Sequence, residues 1–375
     1  MKKLLFVLSS MNVGGMEKAF LNYVNDLSSS QFDITLLLLE KKGGFLEMVP
    51  DNVRIVSFDA FPERIKNEIM APPLRVCKEY FMKGKVVDVA GLFVTHLLYK
   101  ITNNRSLYYR FVLRGEERLE GFDEYHAYSG PTDIVSSLVA YKCTGGKKIQ
   151  WIHFEIDKFQ MNLNTARSLY RKMDEIRAVS YEALSVLTST LPETKKKAVA
   201  RPNRVSADLC RRAADSAKGY EDGYKGIRIV TLARMSTQKG LDIIPSVAAA
   251  MSSKGLSFRW YLIGDGEERE TIEAEIKNNQ VEDTVVLLGV KTNPYPFLKE
   301  SDIYVQTSLY EGFCLALAEA RAFNLPVVST PFAGAHEQLD GIENCFVVSR
   351  TVEALSDAIE NVLFTVSGEK HEEIT

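Results

Sequence analysis

Short apolar runs alternate along the chain with longer segments whose apolar residues return every three or four positions. In the first half, LLFVLSS, ITLLLL, RIVSF, a stretch near His126, KKIQWIHF and EIRAVS read as strands, and helices are expected to begin near Met16, Pro131, Thr165 and Tyr181. A polar, charged, glycine-containing interval follows from Asn203 to Gly226. Beyond it a second series runs IRIVTLA, a helix from Lys239, FRWYLIG, a helix from Glu267, TVVLLG, a short helix from Pro294, DIYVQT, a helix from about Cys314, and PVVST. This alternation predicts an α/β chain of two doubly wound Rossmann-like domains, residues 1–203 and 204–375, each a parallel sheet with helices on both faces. Open parallel sheets bind ligands beyond the carboxyl ends of their strands. Two such sheets facing across a cleft would turn their post-strand loops toward it, and those loops are where chemistry is expected.

Composition narrows the classes. Apolar residues at 46% and charged residues at 25% are ordinary for a globular protein, and 375 residues suit two domains of usual size. A net charge of −3 gives no general attraction to nucleic acid. The charge is uneven, however: from Arg64 to Arg118 eleven Lys and Arg face five Asp and Glu, interleaved with Phe81, Phe93, Tyr99, Tyr108, Tyr109 and Phe111. That stretch, with the apolar segment GLFVTHLLYKI beside Lys100 and Arg105, reads either as a solvated helical surface or as a peripheral membrane contact. The five cysteines are scattered, with no C-x-x-C pair, and read as reduced thiols in the cytoplasm. The opening MKKLLFVLSS imitates a signal peptide, but Asn12, two glycines and Glu17 follow so soon that a buried first strand is expected. No apolar run approaches the ~20 residues of a membrane span.

Several loops carry candidate chemistry. Gly14 and Gly15 open the first helix, where glycine lets a ligand come close and free N–H groups attract anions; a plain tight turn is the alternative. In LARMSTQKGLD, Arg234 and Lys239 could hold a diphosphate or be a solvated charge pair. The segment SLYEGFCLALAEARAFNLPVVST places Glu311 at a helix start and Glu319 eight residues on, a helical offset of roughly 12 Å. Such spacing would let one carboxylate address a sugar and the other a ribose, with the amides near Gly312, Phe313 and Cys314 free between them. Glu319 sits among Leu315, Leu317 and several alanines and needs partners, either a ribose diol or a neighbouring Arg. His153 follows an apolar strand and is either structural or directed into the cleft.

Together these segments resemble glycosyltransferase family 4, whose members have the two-domain GT-B fold. The likeness is strongest from about Arg228 to Val348, through LARMSTQKG, WYLIGDGEERETIE, the long segment ending in LYEGFCLALAEA, and LPVVST; GGME, WIHFEID and the RPN at Arg201 to Asn203 match more loosely. The resemblance implies a retaining glycosyltransferase that moves a sugar from a nucleotide diphosphate donor to a hydroxyl acceptor, in surface polysaccharide or glycolipid assembly. It makes Arg234 and Lys239 the diphosphate clamp, Glu319 the ribose binder, and Glu311 with Gly312, Phe313, Cys314 and Leu315 the donor-sugar site. His153 would contact the sugar, Gly14 and Gly15 would approach the diphosphate, and Val290 would face the base. His153, Glu311, Arg234 and Lys239 are the residues expected at the reacting centre.

No D-x-D occurs, so neither a metal clamp nor a cofactor beyond the sugar nucleotide is expected. The acceptor is expected to be lipid-linked or a saccharide, and the place of action the cytoplasm at the inner face of the membrane. Arg204 and Cys345 stand where relatives often have glycine, both in turns. The chain ends at Thr375, where relatives often carry a helix crossing back to the first domain, so a shortened or truncated element is expected. A sugar-nucleotide epimerase on the same fold and a non-catalytic partner subunit are the alternative readings.

Overall fold

The computed structural model describes residues 1–57, 73–129, 133–158 and 161–372. Two compact units emerge, Met1–Pro202 and Asn203–Thr375. The expected helix start at Pro131 and residues 64–72 of the basic stretch lie outside the described residues.

The first unit runs β1 (Lys2–Leu8), α1 (Gly15–Asn25), β2 (Phe32–Leu38), β3 (Val53–Ser57), α2 (Pro73–Met82), α3 (Val86–Thr102), α4 (Ser106–Val112), β4 (Glu124–Ala127), α5 (Asp133–Lys142), β5 (Lys147–Ile152), α6 (Leu163–Tyr170), β6 (Glu175–Ala178), α7 (Tyr181–Thr190) and β7 (Ala198–Ala200). Its seven strands pair in the order β3-β2-β1-β4-β5-β6-β7, all parallel. Leu4 to Leu8 are buried without alternation. A parallel strand covered on both faces has no polar side to show, which is why this strand imitates a signal peptide.

His126 illustrates how a polar group is kept inside this sheet. It is fully buried, stacked on Phe6, and Trp151 Nε1 donates to its Nδ1 at 3.1 Å. An indole N–H can only donate, so Nδ1 carries no proton and Nε2–H must donate to Glu124, 3.2 Å away. Burial accordingly holds the His126 pKa down to about 4.

The second unit runs α8 (Ala207–Asp215), β8 (Ile227–Leu232), α9 (Ile244–Ser253), β9 (Phe258–Ile263), α10 (Arg269–Asn278), β10 (Val285–Gly289), α11 (Tyr295–Lys299), β11 (Ile303–Gln306), α12 (Leu315–Ala322), β12 (Val327–Ser329), α13 (Ala335–Leu339), β13 (Cys345–Val347) and α14 (Val352–Glu372). The strand order is β10-β9-β8-β11-β12-β13, again all parallel. Two expectations are corrected here. The segment after Asn203 is not a plain joint: Ser206 caps α8, which buries Cys210 and Ala214 and packs on α11 and α12. The helix expected from Lys239 begins only at Ile244, because Gly240 takes a left-handed turn at φ 58° between two short 3-10 turns. Helix α14, the last described element, packs on α9 within its own unit.

Candidate active site

In each sheet the strand order reverses once, between β1 and β4 in the first unit and between β8 and β11 in the second. At such a point the loops leaving neighbouring strands part in opposite directions and open a crevice. In the second unit the loop after β8 carries Arg234 and Lys239, and the loop after β11 carries Glu311. The two loops are tied together: Leu309 N–H donates to the Gln238 carbonyl at 2.9 Å, Gln238 Nε2 to the Tyr310 carbonyl at 2.9 Å, and Thr307 Oγ1 to the Lys239 carbonyl at 3.1 Å. A Cβ on Gly240 would meet the Thr307 carbonyl oxygen at 2.5 Å, so the close approach requires glycine. The loop after β9 locks on from the other side, with Met235 N–H donating to Asp265 O and Glu268 N–H to Met235 O, each at 2.9 Å.

Lys239 and Glu311 form an ion pair within this crevice, both side chains largely covered. Burial alone would lower the Lys239 pKa, but the adjoining Glu311 carboxylate raises it above its ordinary value, so the lysine stays cationic. Behind Glu311 runs a buried polar relay. Ser308 Oγ donates to Glu311 Oε1 at 2.9 Å, Gln306 Nε2 donates to Ser308 Oγ at 2.6 Å, and the Tyr304 hydroxyl donates to Gln306 Oε1. Arg234, by contrast, is exposed, and its guanidinium makes no hydrogen bond or ion pair among the described residues. A fixed lysine and an unengaged arginine therefore share one loop.

Glu311 is not on the helix. Helix α12 starts at Leu315, so the 12 Å helical offset expected between Glu311 and Glu319 does not apply; only the last part of the interval is helical. What precedes the helix is more telling. Cys314 is a non-glycine residue in the left-handed region, at φ 62°, and Gly312, Phe313 and Cys314 are buried. Their three N–H groups have no acceptor among the described residues. Buried donors left unpaired are costly, and the helix that follows adds its own N-terminal polarity. A ligand oxygen seated there would satisfy both. Leu315 is buried at the head of the helix.

Glu319, 2% exposed, accepts from the Tyr295 hydroxyl at 3.2 Å. A neutral phenol is thus one hydrogen-bond donor to this carboxylate. Val290, just past the left-handed Gly289 at the end of β10, is 53% exposed.

In the first unit, Gly14 and Gly15 follow β1 at its own reversal point. Neither glycine is held in the left-handed region. Gly14 has an extended backbone (φ −158°), and a Cβ on Gly15 would meet nothing within 4 Å. The fold itself does not require glycine at position 15. His153, at the end of β5, packs against Tyr128 and Trp151 with ring centroids 4.7 and 5.9 Å away. Burial holds its pKa down to about 4, against a hydrogen bond to the Tyr128 backbone. Its Nε2 is shut off from water and has no partner.

The relay residues Tyr304, Gln306 and Ser308, together with Gln238 and Tyr295, were not singled out from the sequence. One signal was available for Gln306: an amide in the last position of an otherwise apolar buried strand must have a partner.

Two all-parallel sheets, each with one reversal of strand order, are the architecture of the GT-B class. The crystal structure of the Anabaena protein HepE in complex with UDP and glucose superposes with a TM-score of 0.68 over 97% of this chain and 90% of that one, at 17% identity. Residues 226–364 match the family described as "Glycosyl transferases group 1". An uncharacterized glycosyltransferase of Methanocaldococcus jannaschii is 28% identical over 43% of this chain and 40% of its own length. The amylovoran biosynthesis glycosyltransferase AmsK of Erwinia amylovora is 31% identical over 31% of each chain. The alignments therefore span well under half of these curated relatives.

Proposed function

We propose that this protein transfers a sugar from a nucleotide diphosphate donor to a hydroxyl acceptor with retention of anomeric configuration. The observation that carries the reading is the joining of the Arg234–Lys239 loop to the Glu311 loop, next to three unpaired buried amides. In the reaction the bond from the anomeric carbon to the diphosphate oxygen breaks, and its electron pair leaves with the diphosphate. Arg234 and Lys239 stabilise that growing charge electrostatically. The acceptor oxygen bonds to the anomeric carbon on the same face, and its proton passes to the departing phosphate. No protein nucleophile is assigned. Glu311 and the amides of Gly312, Phe313 and Cys314 hold the sugar, Glu319 the ribose, and Val290 borders the base. In the first unit, Gly14 and Gly15 leave room for the diphosphate, while His153, neutral in its buried setting, packs beside the sugar.

No metal is assigned to the diphosphate, since two protein cations serve that role. The acceptor is a saccharide or a lipid-linked saccharide, and the setting is polysaccharide assembly on the cytoplasmic side; the Erwinia relative is named for amylovoran biosynthesis. HepE, one neighbour of known structure, holds UDP, so uridine donors are the first to try.

Calorimetric titration with nucleoside diphosphates tests the site. Arg234→Ala and Glu319→Ala should each weaken binding by ~1.5 to 3 kcal/mol, the loss of one charged hydrogen-bond partner. Unchanged affinity in both variants would move the donor site elsewhere. Transfer should survive EDTA, and the product's anomeric configuration, read by NMR, should match the donor's; inversion would overturn the retaining mechanism.

A further inference from the structure

Helix α3 is amphipathic the wrong way round for a helix facing water. Its inner side is fixed in roll by Gly91, where a Cβ would strike the Phe111 ring at 2.1 Å, and by Leu92, buried against Val76 and Tyr80. Its outer side is apolar. Val87, Ala90, Val94, Leu97 and Ile101 recur at intervals of three and four, Phe93 and Leu98 broaden the stripe, and Val87, Phe93 and Ile101 are 83, 64 and 73% exposed. At ~100° per residue the stripe spans about 140° of the helix and runs ~21 Å along it. It continues past the α2–α3 turn onto Phe81 and Met82, 67 and 70% exposed. A contiguous apolar surface of this kind marks a contact that water does not make.

The charges around the stripe identify the contact. From Pro73 to Gly115 the sequence has eight Lys and Arg and two acids. Both acids are engaged inside the unit, Glu79 with Arg75 and Asp88 with Arg114. Arg105 is likewise engaged, lying over the Tyr99 ring at 4.8 Å and bonding its hydroxyl. Lys83 and Lys100 are exposed with no ion pair among the described residues, one at the stripe's N-terminal end and the other on its edge; Lys85, also exposed, lies over Tyr80. A stripe this broad, bordered by cations alone, does not suit a partner helix, which takes a narrow seam flanked by charges of both signs. It suits a fluid apolar phase beneath a negatively charged surface.

We propose that α3 docks the first unit on an anionic bilayer, lying in the interface with Phe93 and Leu97 in the acyl region and Lys83, Lys85 and Lys100 among the headgroups. No described helix is long and apolar enough to cross a membrane, so the contact is peripheral. The proposal rests on this surface alone and does not depend on the transfer reaction.

The test uses the full chain with vesicles of phosphatidylcholine, alone or mixed with phosphatidylglycerol. Co-sedimentation should appear with the mixed vesicles at low salt and weaken at least about tenfold at high salt or without the anionic lipid. Phe93→Ser with Leu97→Ser, and Lys83→Gln with Lys85→Gln and Lys100→Gln, should each cut it by about tenfold or more. Tryptophan emission of Phe93→Trp should shift to shorter wavelength on adding mixed vesicles. Nucleoside diphosphate binding by these variants should stay as in the wild type, so docking and donor binding are scored separately. No binding to mixed vesicles at low salt overturns the proposal. So does an emission shift that follows protein concentration without lipid, which would make the stripe a contact between two copies.

Discussion

At the scale of single residues, what a side chain can do here depends on whether it already has a partner. Lys239 and Glu311 neutralise one another and are held by a relay from within, whereas the Arg234 guanidinium has no bond to give up before meeting an anion. His126 is the opposite case, with both ring nitrogens engaged in the neutral form. Its pKa falls from 6.5 to about 4 on folding, so between those values the unfolded chain binds the proton that the folded chain refuses. Stability should be complete above about pH 6.5 and decline toward pH 4, by about 3 kcal/mol for this group at 1.36 kcal/mol per pKa unit. Denaturant titrations of the wild type and His126→Gln, whose amide mimics the neutral ring, should diverge in that window. Equal acid loss in the two would assign the effect elsewhere.

At the scale of elements, two glycines in post-strand loops make opposite demands. Gly264, at φ 144° after β9, packs so close to the loop bearing Arg234 that a Cβ would meet the Ala233 carbonyl oxygen at 1.9 Å. Gly264→Ala must therefore shift backbone and should cost the second unit more than ~3 kcal/mol, combining overpacking with a strained φ. Gly15, at the head of α1, has open space on its Cβ side. Gly15→Ala should leave stability unchanged or raise it by up to ~1 kcal/mol, since alanine suits a helix better. If a diphosphate occupies that space, the same change should weaken donor binding about tenfold or more, the scale of one lost charged hydrogen bond. Urea denaturation and calorimetric titration of the two variants separate a structural glycine from a functional one. A Gly15→Ala protein that is stable and binds normally would remove Gly15 from the site.

At the scale of the whole molecule, each unit has its own buried cluster, one around Tyr125, Leu138 and Ile176 and the other around Trp260, Ile244 and Val305. Most of the proposed donor contacts lie in the second. A nucleoside diphosphate at a hundredfold excess over its Kd should stabilise the unit that binds it by about 2.7 kcal/mol. In differential scanning calorimetry the transition of the second unit should rise accordingly, and Glu319→Ala should abolish the rise. A ligand-induced shift that survives in Glu319→Ala and Arg234→Ala alike would place the nucleotide elsewhere.

The sequence by itself determined the two-series α/β organisation, because parallel strands buried on both faces leave uninterrupted apolar runs that alternation with helices makes legible. The family 4 resemblance was legible too, through residues such as those at Glu311 and Glu319 whose order does not depend on three-dimensional detail. What the sequence could not supply was the relation between residues far apart along the chain. Helical rise was the wrong ruler for Glu311, since the left-handed Cys314 precedes a helix that starts only at Leu315. Gly240 likewise delayed the helix expected at Lys239. Only the tertiary structure brought Lys239 onto Glu311 across 72 positions, hung that carboxylate on Ser308 and Gln306, and left the amides of Gly312, Phe313 and Cys314 without acceptors. It also turned the apolar side of α3 outward, because Gly91 admits the Phe111 ring on one side only. Periodicity reports that a helix has an apolar face; which way that face points is decided by what packs against the other.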